Sequence, residues 1–220
     1  MNQNEQAREY SHFEEATHSV THGIGALLGI TGLCMLLIRV WGRGVPDVMA
    51  AVVYGVALII LYTASASYHA ASLRYGDYSV SRVRDFFMKC DHTSIYLLIL
   101  GTYTPAALSM GGAVGLIVFS VVAVCSAIGI TINIINVDRF ARVSMVLYLV
   151  AGWTIALASV PYFKAVGARG FGLLLIGGLL YTVGVVFYKL RSVRYMHILW
   201  HLFVLGGSVT HYFMVYFYCF

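Results

Sequence analysis

His197 and His201 stand four residues apart, at the mouth of the last long apolar run of the chain. On a helix, residues at this spacing stack on one face, so both imidazoles can reach a single metal ion. Histidine is rare inside membrane-spanning segments, where it marks a pathway, a relay or a metal. Two imidazoles do not complete a zinc site, because catalytic Zn²⁺ takes three protein ligands and keeps a fourth position for water. Taken alone, the pair equally fits two interfacial histidines facing lipid headgroups. What matters is which other residues reach the same depth, and that depends on the elements carrying them.

Those elements are apolar. Hydrophobic residues make up 60% of the 220 and charged residues only 10%, against roughly 25% charged in soluble domains. With a mean hydropathy of +0.82, the composition excludes a soluble globule and identifies an integral membrane protein. The net charge of +5 is spread over short loops; it speaks to orientation in the bilayer and not to nucleic acid, for which there is no motif. Cys34, Cys90, Cys125 and Cys219 lie singly, without a CxxC spacing, and read as packing residues. The stretch Met1 to Thr17 is polar and lacks the pattern of a removable signal peptide. The expected division is a polar cytoplasmic tail over 1–18 and a membrane domain over 19–220.

A helix crosses the hydrocarbon layer with about 20 mainly apolar residues. Seven such runs are expected, near 19–38, 48–69, 92–110, 113–135, 143–162, 171–189 and 196–217. The fold class is thus an all-α integral membrane protein, a seven-transmembrane helix bundle. Pro105 and Pro161 are expected to kink or end their helices. The segment 70–91, with Arg74, Asp77, Arg82, Arg84, Asp85 and Lys89, reads as a long polar connection with room for a short surface helix. Orientation follows from lysine and arginine. One side carries ten: Arg8, Arg74, Arg82, Arg84, Lys89, Arg139, Arg142, Lys189, Arg191 and Arg194. The other carries four: Arg39, Arg43, Lys164 and Arg169. The positive-inside rule places the N-terminus in the cytoplasm and, after seven spans, the C-terminus in the periplasm.

This topology fixes depth. Glu15, His18 and His22 open the first run, Ser65 and His69 close the second, Asp91 and His92 open the third, and His197 and His201 open the seventh. All fall at the cytoplasmic end. His69, His197 and His201 would supply three imidazoles to Zn²⁺, which lowers the pKa of a bound water to about 7. Asp91 could act as general base, and Ser65, one turn before His69, could hydrogen-bond the water, the substrate carbonyl or Asp91. An isolated His69 or Asp91 also fits a solvated helix end, and Asp91 a simple N-cap. His211, about 15 Å further along the helix than His201, reads as a buried hydrogen-bonded group or the lining of a deeper cavity. His92, turned about 100° from Asp91, faces elsewhere.

Four runs in this order resemble the hemolysin III family: Glu15 through His18 to His22, Ser65 to His69, Lys89 through Asp91 to Tyr96 with Gly101 to Pro105, and His197 to His201. That family is the bacterial branch of the progestin and adiponectin receptor family, within a superfamily of membrane hydrolases that includes alkaline ceramidases. The resemblance covers nearly the whole chain. It implies a seven-helix bundle in the bacterial inner membrane, N-terminus inside. Zn²⁺ would sit near the cytoplasmic face on His69, His197 and His201, with Asp91 contacting its water and Ser65 in the same constellation. It also implies weak hydrolysis of a lipid amide bond and a part in membrane-lipid and membrane-energetics homeostasis. One departure is visible: the family's first motif usually has Asn where this chain has His18. Glu15, His18 and His22 therefore form either a second ligand set or a polar brace at the helix entry.

Three functions compete. The first is a zinc-dependent membrane hydrolase of a lipid amide or ester bond, with a membrane lipid as partner. The second is a sensor or regulator of membrane state whose metal braces the helices. The third, a pore, fits least well, because the runs offer no continuous polar stripe from one side to the other.

Overall fold

A computed structural model describes residues 10–75, 82–190 and 192–220. Arg8, Asp77 and Arg191, which entered the charge reading, lie outside these residues. Among the described residues the chain is all helix: α1 His12–Arg39, α2 Val45–Tyr75, α3 Arg82–Met110, α4 Gly112–Trp153, α5 Ser159–Lys189 and α6 Met196–Met214. A short 3-10 stretch, Thr154–Ala158, joins α4 to α5, and a single π turn, Val215–Cys219, follows α6.

Helix α1 begins well before the apolar run it carries, because Ser11 and Glu14 form a capping box. The Ser11 hydroxyl accepts the Glu14 N–H while the Glu14 carboxylate accepts the Ser11 N–H, so two orphan donors of the first turn are satisfied. The expected polar connection over 70–91 is mostly helix as well. Helix α2 continues to Tyr75 and α3 starts at Arg82. Arg84 reaches back to the Ser72 hydroxyl at 3.3 Å and the Tyr68 hydroxyl at 3.1 Å, tying the two helices together below their connection.

The breaks fall elsewhere than at the prolines. Pro105 stays inside α3, and Pro161 stands in the first turn of α5, where its missing N–H costs little. Helix α4 breaks at Asn136, whose φ of −166° and ψ of 107° leave the helical region. Its side-chain oxygen accepts the Arg139 N–H at 2.9 Å, the bond an N-cap makes, so a fresh helical segment starts at 137. Helix α5 breaks at Gly167, with φ 68° and ψ 178°, a conformation that is essentially glycine's own. These two breaks separate the stretches where the fourth, fifth and sixth apolar runs were expected.

Sequence neighbours pack side by side from α1 to α4, α5 packs on α6, and α6 returns to α1. The centre is aromatic and aliphatic, with Tyr54, Tyr62, Leu36, Tyr162 and Met214 fully enclosed. The outside is apolar too: Leu27, Ile38, Leu116 and Leu157 are mostly exposed, a surface suited to hydrocarbon and not to water. Among the described residues four stretches, His12–Arg39, Val45–Tyr75, Gly112–Lys189 and Met196–Cys219, are long and apolar enough to cross a membrane. The chain is thus an all-helical protein of the membrane class. Helix α3 is less apolar because its first turns carry Arg82, Arg84, Asp85 and Lys89; further along, Tyr96 donates to the Ser144 carbonyl at 2.8 Å and Tyr103 to the Gly152 carbonyl at 2.8 Å.

Close approach is decisive at Gly177. His211 pairs its Nε2 with the Leu174 carbonyl at 3.0 Å, and a Cβ on Gly177 would run into the imidazole. Gly177→Ala is expected to destabilise the bundle by about 1–3 kcal/mol, the usual cost of overpacking. The check is the thermal midpoint in detergent, with Gly23→Ala, which meets nothing within 4 Å, as the neutral control.

Candidate metal centre

One stripe of α1 organises the site. Its buried residues are Glu14, His18, His22, Gly25, Gly29, Gly32 and Leu36, a three-and-four spacing that makes one helix face. The glycines let the neighbouring helices approach, Gly25 lying against the Tyr62 ring and Gly32 against Tyr212. Above them the acids and histidines meet the end of α2 and the start of α6. The Ser19 hydroxyl fixes this level by donating to the Ala66 carbonyl at 3.0 Å.

His18 lies at the middle of a cluster. Its ring centre is 4.6 Å from His69, 4.8 Å from His197 and 4.8 Å from His201. Candidate ligand atoms of His18, His69 and His197 all lie within 4.8 Å of one another. His201 is 4.9 Å from both His69 and His197 by ring centres. It also stacks nearly parallel on His22, 3.7 Å away, with Nδ1 3.4 Å from the Thr21 hydroxyl. Tyr10 closes over the group, stacked on His197 and edge-on to His18, each at 5.1 Å.

Two carboxylates hold the frame. Glu15 contacts His69 Nδ1 at 2.6 Å and His18 Nδ1 at 3.8 Å. This fixes the His69 proton on Nδ1 and turns Nε2 inward, the arrangement in which a carboxylate orients a metal-binding imidazole. Glu14 uses its other oxygen to accept the Tyr195 N–H at 3.0 Å. Tyr195 has a φ of 67°, the one non-glycine left-handed residue among those described, and it immediately precedes α6. The start of the helix carrying His197 and His201 is therefore pinned to α1.

The donor set fits a borderline transition metal such as zinc, for which imidazole is a favoured ligand. Both ring nitrogens of His18 and Nε2 of His69 are buried with no hydrogen-bond partner among the described residues. Leaving such atoms unsatisfied costs about 1–3 kcal/mol each, and a cation bound to one nitrogen of each ring would remove part of that cost. The carboxylate of Glu15 supplies compensating charge at the edge of the cluster.

Beside the cluster opens a cavity of about 210 Å³. Its wall at the histidine end includes Ser65, Asp91, His197 and His201, and it runs past Leu61, Ile95, Leu98 and Val204 to His211. Of the residues expected to form the site, the structure brings the candidate ligand atoms of His69 and His197 together with those of His18, sets His201 beside them by ring contact, and places Asp91 and Ser65 in the adjoining wall. Glu15, His18 and His22 do not stand apart as a second set but merge with the first. His92 pairs Nδ1 with the Met88 carbonyl at 2.9 Å. Sequence reasoning left His18 at the margin and passed over Tyr10 and Glu14. The Ser11 to Glu14 spacing of a capping box was the available signal for Glu14.

A sequence model of the family described as Haemolysin-III related matches residues 10–212. The chain is 37% identical to the hemolysin-3 homolog of Bacillus subtilis (strain 168) over 208 residues, 94% of each chain. It is 39% identical to hemolysin-3 of Bacillus cereus over 207 residues, 93% of this chain and 91% of that one. A more distant relative is the monocyte to macrophage differentiation factor of Homo sapiens, 26% identical over 208 residues, 92% of this chain and 83% of that protein. The family match spans every residue of the histidine cluster and of its two carboxylates, and the chain belongs to the hemolysin III family.

Proposed function

We propose that this chain is a seven-span protein of the bacterial inner membrane, N-terminus inside, in which His69, His197 and His201 hold Zn²⁺ and a membrane lipid is hydrolysed at an amide or ester bond. The observation that carries the reading is the junction of the cluster with the cavity: ionisable residues at one end, a mostly apolar wall beyond. Such a space suits a molecule with a polar, cleavable head and a hydrocarbon body. The seven-span topology rests on the charge asymmetry of the loops and on the breaks at Asn136 and Gly167.

When bound, zinc would supply Lewis-acid polarisation and lower the pKa of water at the site. The chain's own residues do the rest. Asp91 accepts the proton of the attacking water, and the Ser65 hydroxyl donates to the substrate carbonyl oxygen as charge develops there. Glu15 holds His69 in one tautomer. The walls from Leu61 to Val204 keep water away from the lipid body.

The test uses purified protein and extracted membrane lipids. Asp91→Ala is expected to keep its zinc and lose release of fatty acid by about 10²–10⁴-fold, the usual contribution of a general base. Retained turnover in this variant would remove Asp91 from the chemistry. A second reading, a regulator of membrane state with a bracing zinc, is supported by the candidate ligand atoms of His18 lying within 4.8 Å of those of His69 and His197, because closed coordination is the mark of a structural site. Full zinc content with no lipid cleaved by the wild type would select it.

A further inference from the structure

The imidazoles of His18, His69, His197 and His201 stand at the corners of a nearly regular tetrahedron. The six separations between ring centres are 4.6, 4.8, 4.8, 5.5, 4.9 and 4.9 Å. With zinc–nitrogen bonds of about 2.0–2.1 Å and ring centres roughly 1 Å further out, four imidazoles around one ion would have centres about 5 Å apart. We propose that His18 is a fourth metal ligand, so that four histidines from α1, α2 and α6 enclose the ion and solvent or substrate gains a coordination position only when His18 withdraws. This rests on the zinc reading above and adds to it a regulatory ligand.

His22 does not compete for the place. It lies flat against His201, interplanar angle 17°, and two rings stacked face to face do not converge on one ion. Against His69 and His201, whose outer nitrogens meet Glu15 and Thr21, His18 is the member with the looser hold. Glu15 grips His69 at 2.6 Å, and Thr21 stands 3.4 Å from His201 Nδ1. His18 has no hydrogen bond on either nitrogen among the described residues and only the 3.8 Å approach of Glu15, which is already engaged with His69. A ligand without an outer partner is the one that exchanges most easily.

The experiment uses full-length protein in detergent, with cobalt in place of zinc and azide as the probe ligand. Wild type is expected to bind one cobalt per chain with a visible spectrum that excess azide does not move. His18→Ala and the near-isosteric His18→Asn are expected to bind cobalt at least tenfold more weakly, on the order of the loss seen when a metal ligand's support is removed, and to shift their spectra on adding azide. A wild-type spectrum that moves with azide overturns the proposal, as does a variant that binds cobalt as tightly as wild type. Should the variants not fold, the wild-type azide response decides by itself. Absence of metal from wild type would remove the zinc reading and this inference together. Metal bound identically with and without His18 would remove this inference alone.

Discussion

His69→Ala is expected to empty the cluster of zinc while the helices remain folded, with metal affinity falling by at least about 100-fold. His69 is the one histidine of the cluster that α2 carries, so its loss takes away both a candidate donor and a contact between α2 and the α1–α6 pair. Loss of a support to a ligand already costs 10–100-fold, and removal of the ligand itself is the larger change. The fold is expected to survive because α1 stays tied to α2 by the Ser19 hydroxyl on the Ala66 carbonyl at 3.0 Å and to the start of α6 by Glu14 on the Tyr195 N–H at 3.0 Å. Glu15→Gln separates the two roles. It leaves His69 in place but removes the carboxylate that fixes its tautomer, and should fall between wild type and His69→Ala in zinc affinity. Metal analysis with a competing chelator reads all three. Wild-type zinc content in His69→Ala would refute the metal centre.

That His69, His197, His201 and Asp91 lie at one level was legible because each sits at the end of an apolar run, and depth in a membrane protein can be counted from such ends. No residue of the α6 pair betrays its partners by local spacing; the alternation of helix direction did that. His18 was harder, since Glu15, His18 and His22 follow the same spacing whether they brace a helix entry or bind an ion, and only the approach of α6 distinguishes these. The break at Asn136 falls in the polar interval expected between the fourth and fifth runs, where Asn136, Asp138, Arg139 and Arg142 interrupt the apolar pattern; what composition does not show is that the Asn136 side chain caps the new segment. Pro105 and Pro161 misled because their positions, inside a packed helix and in a first turn, let the chain accommodate them. The segment 70–91 looked like a loop by polarity, but its charges serve helices: Lys89 pairs with Asp85 at 3.2 Å along α3, and Arg84 returns to α2.

Glu14→Ala should produce the largest loss of stability outside the hydrophobic core. One carboxylate oxygen closes the capping box of α1 and the other holds the Tyr195 N–H at 3.0 Å. Loss of a cap costs about 0.5–2 kcal/mol, and loss of a hydrogen bond to a charged group about 1.5–3 kcal/mol. Losing the cap while leaving Tyr195 at φ 67° without this bond gives an expected loss of about 3 kcal/mol, or about 6–12 °C in the thermal midpoint for a chain of this size. Because Tyr195 sets the start of α6, the same substitution should also weaken zinc binding through His197, two residues on. Adding Tyr195→Gly removes the left-handed penalty and should restore part of the lost midpoint. If Glu14→Ala melts like the wild type, or if the glycine restores nothing, the clamp between α1 and α6 is not what orders the start of α6, and the placement of His197 and His201 must come from packing along the helix instead.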